Sequence, residues 1–299
     1  MKVGIIGAGS IGLLFAAYLS KRFDVEIYTR TPEQSFEINK FGICVQKGSE
    51  RTISVVKAYP ISEWRGLEDF TIITVKQYQL KEIIMHNNKL ASMPKNLLFL
   101  QNGMGHLKLL DNIRAHNTYV GSIEHGALRE NPYTVSHNGE GITNVAVFNG
   151  NSQPLIQFIA FAPKDFPIIL KENYYEMLVN KLMINVVINP LTAILRVKNG
   201  ELVQNHFYFQ ALKNLFSEAS SILKIENKEF YFDQILNICR STAENRSSML
   251  KDIEAGRLTE VDAILGYILE EAKRQKRSAP QIENLFFLIK GKEREQGGV

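Results

Sequence analysis

Cysteine is nearly absent: two in 299 residues, Cys44 and Cys239, far apart and without metal-type spacing. That count excludes a disulfide framework and a cysteine metal centre, and both thiols are expected reduced and buried, in a cytoplasmic protein. Excess charge of one sign is also lacking. The 35 Lys and Arg against 31 Asp and Glu leave a formal charge of +4, with the cations scattered. Nothing therefore forms a nucleic-acid patch, although a local excess would suit an anionic ligand. No apolar run looks long enough to cross a membrane, and a strand begins almost at once, so no signal peptide is expected. Repeats and low-complexity tracts are missing apart from a polar tail after Lys290. His125 and His137 have no Cys or Asp at ligand spacing and read as structural. What is present is an ordinary soluble composition, 45% hydrophobic and 22% charged, on a chain long enough for two cores.

The N-terminal half carries the first chemical signal. A short apolar strand, Lys2–Ile6, runs into Gly7-Ala8-Gly9-Ser10-Ile11-Gly12 and then a helical Leu13–Lys21. Strand, glycine loop and helix in that order form the context a dinucleotide requires: a tight turn, close approach of a pyrophosphate, and free N–H groups at the helix start. The next strand, Val25–Tyr28, ends in Thr29-Arg30-Thr31, with no acid to take ribose hydroxyls. Arg30 there suits a 2′-phosphate, which favours NADPH; otherwise it is an exposed loop arginine. The β run Phe70–Val75 delivers Lys76 at its carboxyl end, where open α/β sheets bind ligands, so a phosphate contact is expected of it. Leu97–Leu100 delivers Gln101-Asn102-Gly103 in the same way. Tyr119–Ile123 continues the sheet, and Thr134–His137 with Ile142–Phe148, split by Asn138-Gly139, reads as a closing hairpin. Pro163–Leu170 reads as the last strand.

From about Asn173 onward helical periods take over. Asn173–Leu195 is apolar on nearly every side, as a buried helix is, yet Lys181, Asn185 and Asn189 fall on one stripe at i, i+4, i+8. That stripe is either a wetted face with Lys181 snorkelling to solvent or the wall of a pocket. Pro190 removes a hydrogen bond and should kink the helix. Helices follow over Asn205–Lys224 and within Phe230–Ala255, where Asn245, Ser247, Ser248 and Met249 form a polar patch. Thr259-Glu260-Val261-Asp262 resembles a capping box opening a helix to about Arg277, with Glu260 at its first position.

These segments together resemble the ketopantoate reductase (2-dehydropantoate 2-reductase) family, through GAGSIG at 7–12, TVKQYQ at 74–79, QNGMG at 101–105, NKLMINVVINPLTAI at 180–194 and AENRSSMLKDIEAGRLTEVD at 243–262. The resemblance implies an α/β chain with an N-terminal Rossmann dinucleotide-binding domain (1–170), a C-terminal all-helical domain (171–299), and a cleft between them. It implies NADPH-dependent reduction of 2-dehydropantoate to (R)-pantoate, a step toward pantothenate and coenzyme A. By position, Lys181 matches the catalytic lysine and Glu260 its carboxylate partner, also on the cofactor side. Asn185, Asn189 and Ser248 match substrate-binding positions, with Asn245 close by. Asn102 matches a contact to both cofactor and substrate, and Arg30 and Lys76 match the 2′-phosphate side. Gly7, Ala8, Gly9, Ser10, Ile11 and Gly12 form the phosphate loop. Two rivals stay open: a reductase of another 2-oxo acid, and a non-catalytic NADP(H) sensor. Residues 44–66 and 149–170 match no signature. A homodimer is left open, as helical second domains often carry such an interface.

Overall fold

The computed structural model describes residues 1–88 and 90–295; the last residues of the polar tail lie outside them. The chain divides into two compact units, Met1–Gln101 with Leu107–Met177, and Asn102–His106 with Leu178–Val299. Among the described residues, the first unit runs β1 (Lys2–Ile6), α1 (Ser10–Leu19), β2 (Asp24–Thr29), α2 (Pro32–Phe41), β3 (Ile43–Lys47), β4 (Glu50–Ser54), β5 (Lys57–Pro60) and β6 (Phe70–Ile73). It continues through α3 (Leu80–Asn88), β7 (Asn96–Phe99), α4 (Leu107–Leu110), β8 (Asn117–Ile123), β9 (Gly126–Arg129), β10 (Thr134–Gly139), β11 (Thr143–Asn149), α5 (Gln153–Phe161) and β12 (Ile168–Leu170).

The larger sheet has the order β12-β11-β8-β7-β6-β1-β2-β5, parallel except where β11 meets β8. The chain moves outward on one side of β1 through β2 and β5, then returns to β6 on the other. That reversal is a topological switch point, and ligands of such sheets bind beyond its strand ends. Helix α1 is buried along nearly its whole length, with Leu13, Leu14, Phe15 and Leu19 inaccessible in the same core as Val3, Ile5 and Phe70. An apolar helix clamped in this way holds its N-terminus fixed over the end of β1.

Two sequence expectations are corrected here. Residues 134–139 and 143–149 do not form a hairpin. β11 pairs antiparallel with β8 in the large sheet, whereas β10 joins a second sheet of order β4-β3-β10-β9, pairing parallel with β3 and antiparallel with β9. The Asn138-Gly139 turn signal instead marks a register shift within β10. Short alternating strands leave pairing partners undetermined, which is why this sheet, built partly from the unassigned 44–66 stretch, was invisible to pattern. The strand at 163–170 is confined to Ile168–Leu170 and follows a helix, α5.

Helices form the second unit: α6 (Tyr174–Leu195, from Leu178 onward), α7 (Glu201–Gln204), α8 (His206–Ile222), α9 (Lys228–Ser241), α10 (Ser248–Glu254), α11 (Tyr267–Arg274) and α12 (Pro280–Glu295). Asn173 caps α6 by accepting from the amides of Tyr175 and Glu176. The helix runs on through Pro190. Thr192 Oγ1 donates to the carbonyl of Ile188 and contacts that of Asn189, giving local side-chain partners to the turn around the proline. Contrary to the sequence expectation, α6 is long and apolar enough to cross a membrane by length and composition; two-thirds of that stretch is buried within the protein. A buried core helix meets the same test.

Candidate active site

The end of β1 is built for close approach. A Cβ on Gly12 would stand 1.7 Å from the Gly7 carbonyl oxygen and 2.7 Å from Thr74 Oγ1, so only glycine lets α1 sit this tightly on the loop. Thr74, past the end of β6, anchors that loop through its hydroxyl to the carbonyls of Ile6 and Gly7 at 3.1 and 2.9 Å. Gln101, past the end of β7, spans the carbonyls of Ile73 and Val75 with its amide at 2.9 and 3.0 Å. The three strand ends are thereby tied together around the switch point.

A dinucleotide fits these residues. Gly9 faces open space where a side chain would intrude, and α1 starts there with no side-chain cap and no acid in its first turn. Uncapped N–H groups at the positive end of a helix dipole favour a phosphate anion. Arg30 is exposed just past β2, and Lys76 is half-buried three residues past β6. Sequence reasoning missed two residues at this loop. Gln34 Nε2 donates to the Ala8 carbonyl at 2.8 Å and to that of Pro132 at 2.9 Å, and Arg129 also reaches Ala8.

The remaining expected residues lie in the second unit, and several meet there. Asn102 Nδ2 donates to Glu260 Oε2 at 2.8 Å across 158 residues of sequence. Gly103 makes this approach feasible: its φ is +75°, and a Cβ would fall 2.2 Å from the Ala263 carbonyl oxygen. The amide of Met104 donates to that same oxygen at 3.2 Å. The acceptor belongs to a π-helical turn, Asp262–Gly266, that precedes α11. Such turns are frequent at functional sites.

The local capping differs from the expected box. Thr259 Oγ1 accepts from the Val261 amide at 3.1 Å, but the Thr259 amide is taken by Glu293 of α12 at 2.8 Å, not by Asp262. Asp262 pairs instead with Lys290 at 3.1 Å. Glu260 therefore precedes the helix proper, its carbonyl accepting from Ala263 and Ile264, and its buried carboxylate is left for Asn102. A long-range acid from the C-terminal helix has displaced a local one, which no short pattern reveals.

On α6, Lys181 and Asn185 are half-buried and Asn189 is buried. The stripe is thus no freely solvated face. Thr192, at the end of this stripe, has its hydroxyl hydrogen on the Ile188 carbonyl and accepts from Ser247 Oγ at 2.7 Å, and Ser247 caps α10 by accepting from the Leu250 amide. Ser248 and Asn245 are exposed beside it, with the Asn245 carbonyl accepting from the Asn199 amide at 3.0 Å. The polar patch of the sequence is therefore fastened to α6.

His106, passed over in the sequence, is wholly buried, and among the described residues neither ring nitrogen has a hydrogen-bond partner. Burial pushes its pKa down to about 4, partly offset by the negative charge of Glu260. A histidine neutral in the fold but free to protonate when unfolded binds fewer protons in the native state between the two values. Its stabilisation is complete above its ordinary value of 6.5 and is lost as pH falls toward about 4. The expected loss from this group is about 3 kcal/mol. Urea titrations at pH 7 and pH 4 should show a clearly flatter acid limb for His106→Phe than for the wild type; equal slopes would contradict this.

The geometry has counterparts among known proteins. The chain is 42% identical over 302 aligned positions to the 2-dehydropantoate 2-reductase of Bacillus subtilis, covering all of both chains. The chain belongs to the ketopantoate reductase family. The family model described as ketopantoate reductase PanE/ApbA matches residues 3–150, and that of its C-terminal part matches 173–293. A 2-dehydropantoate 2-reductase from Pyrococcus abyssi is 30% identical, with 99% of each chain covered. A crystal structure of the probable ketopantoate reductase of Bacillus subtilis superposes with a TM-score of 0.90 at 41% identity, covering 98% of this chain and 100% of the other. D-mandelate dehydrogenase solved with NADH and anilino(oxo)acetate shares the fold alone, at TM-score 0.89 and 22% identity over 99% of each chain. As a member of this family the chain is an oxidoreductase of the α/β class, and its glycine loop fits a nicotinamide dinucleotide cofactor.

Proposed function

We propose that the chain reduces 2-dehydropantoate to (R)-pantoate with NADPH, with Lys181 as general acid. The observation that supports this most directly is the Asn102–Glu260 hydrogen bond, which joins two distant segments carrying the resemblance. The glycine loop would hold a reduced nicotinamide dinucleotide through its pyrophosphate, and that cofactor would supply a hydride for the ketone carbon. Negative charge then grows on the carbonyl oxygen, and a positioned ammonium both stabilises and protonates it. That task falls to Lys181, half-buried in an apolar helix where its charge is poorly screened. Glu260 balances the ammonium, held in orientation by Asn102 on one side and the Thr259–Glu293 contact behind it. Asn185, Asn189, Asn245 and Ser248 offer amide and hydroxyl groups for the carboxylate and hydroxyl of the 2-oxo acid, and their fixed placement supplies orientation.

The choice of NADPH rests on Arg30, which follows Thr29, the residue in the place where an acid would otherwise bind ribose hydroxyls. Arg30→Ala is expected to raise the KM for NADPH roughly ten-fold or more, the worth of a charge-assisted phosphate contact, and to leave that for NADH nearly unchanged. Initial-rate kinetics with each cofactor check this; equal effects would refute the 2′-phosphate contact. For the substrate, NADPH consumption across a panel of 2-oxo acids should be fastest with 2-dehydropantoate. A faster branched analogue would reassign the substrate, and silence across the panel with NADPH still bound would point to a sensor.

A further inference from the structure

We infer that Arg129 is a cofactor-binding residue that contacts the pyrophosphate of the dinucleotide, an inference resting on the nicotinamide-dinucleotide reading above. Arg129 ends β9, in the small sheet rather than the dinucleotide-binding one. Its main-chain amide donates to Ser10 Oγ at 3.0 Å, and its guanidinium donates from Nη1 to the Ala8 carbonyl at 3.3 Å. The strand end is thus fastened across the glycine loop at two points. The side chain is exposed, and among the described residues no carboxylate forms an ion pair with it.

This placement reverses the usual electrostatic arrangement. A helix N-terminus carries partial positive charge and ordinarily attracts acids, whereas α1 has none in its first turn. Adding a guanidinium beside the same N-terminus brings like charges together, which is unfavourable unless an anion lies between them. The open space above Gly9 is where such an anion fits. One Nη1 hydrogen is committed to Ala8, and the fork of donors left over matches phosphate oxygens. The contact falls on Ala8 and Ser10, within the phosphate loop. Arg30, by contrast, follows β2, at the ribose side. The pyrophosphate is common to NADPH and NADH, so Arg129 should serve both alike.

Equilibrium binding of NADPH, NADH and ADP-ribose to the full-length protein, followed by calorimetry without substrate, tests this. Arg129→Ala and Arg129→Gln leave the main-chain tether to Ser10 intact, and the Gln variant keeps a donor for Ala8 while removing the charge. Both are expected to raise all three dissociation constants by the same factor, roughly ten-fold, and to reduce their dependence on salt. Thermal unfolding verifies that each variant is folded; if one is not, the other decides. Unchanged affinities, or a loss confined to NADPH, would overturn the inference. A wild type that binds none of the three would instead overturn the dinucleotide reading itself.

Discussion

Lys181→Ala is expected to lower kcat by roughly 10²–10⁴-fold, the usual size of a general-acid contribution. Methyl for ammonium removes the only charge on the Lys181-Asn185-Asn189 stripe of α6. The two amides proposed to bind the ground-state acid remain, so KM should move far less than kcat. An interaction made only as charge develops on the ketone oxygen gives this split, whereas uniform binding would change KM alone. Steady-state rates of the folded variant with 2-dehydropantoate and NADPH provide the test. Near-wild-type kcat would remove Lys181 from the chemistry, and a loss entirely in KM would make it a binding residue only.

Gly103→Ala should have the second-largest effect, without replacing any side chain proposed to meet the substrate. The added methyl would stand 2.2 Å from the Ala263 carbonyl oxygen, at a φ of +75° that alanine disfavours. Neither neighbour is a flexible side-chain end, so the 102–106 turn or the π-helical turn must shift. Either movement pulls Asn102 away from Glu260. A displacement of about 1 Å in a positioned group costs about 10²-fold, and a fall of that size in kcat/KM is expected. Circular dichroism would establish that the variant is folded. A folded variant with wild-type kcat/KM would show that the Asn102–Glu260 contact is not needed for turnover.

The dinucleotide half was legible because its signals are local. A strand, three glycines and a helix within the first two dozen residues specify one geometry, and Arg30 and Lys76 sit where strand ends predict. The stripe on α6 was equally legible as periodicity, though periodicity alone left solvent and pocket open; burial of Asn189 disfavours the first. What escaped notice was long-range. Arg129 reaches the glycine loop from another sheet, and Glu293 takes the amide that a local capping pattern assigned to Asp262. His106 carried no pattern at all, because a buried histidine with unpaired nitrogens differs from any other only by its surroundings. The small sheet was lost for a related reason: alternation identifies strands but not their neighbours.

The proposal comes down to whether a hydride passes from this cofactor to that ketone. Incubating the protein with 2-dehydropantoate and NADPH deuterated at the transferable position of the nicotinamide, then analysing the product by NMR, tests it most directly. The expected result is (R)-pantoate carrying deuterium on the former ketone carbon, one label for each NADPH oxidised. Cofactor oxidised without labelled pantoate, or no oxidation by a folded protein that binds both ligands, would contradict it.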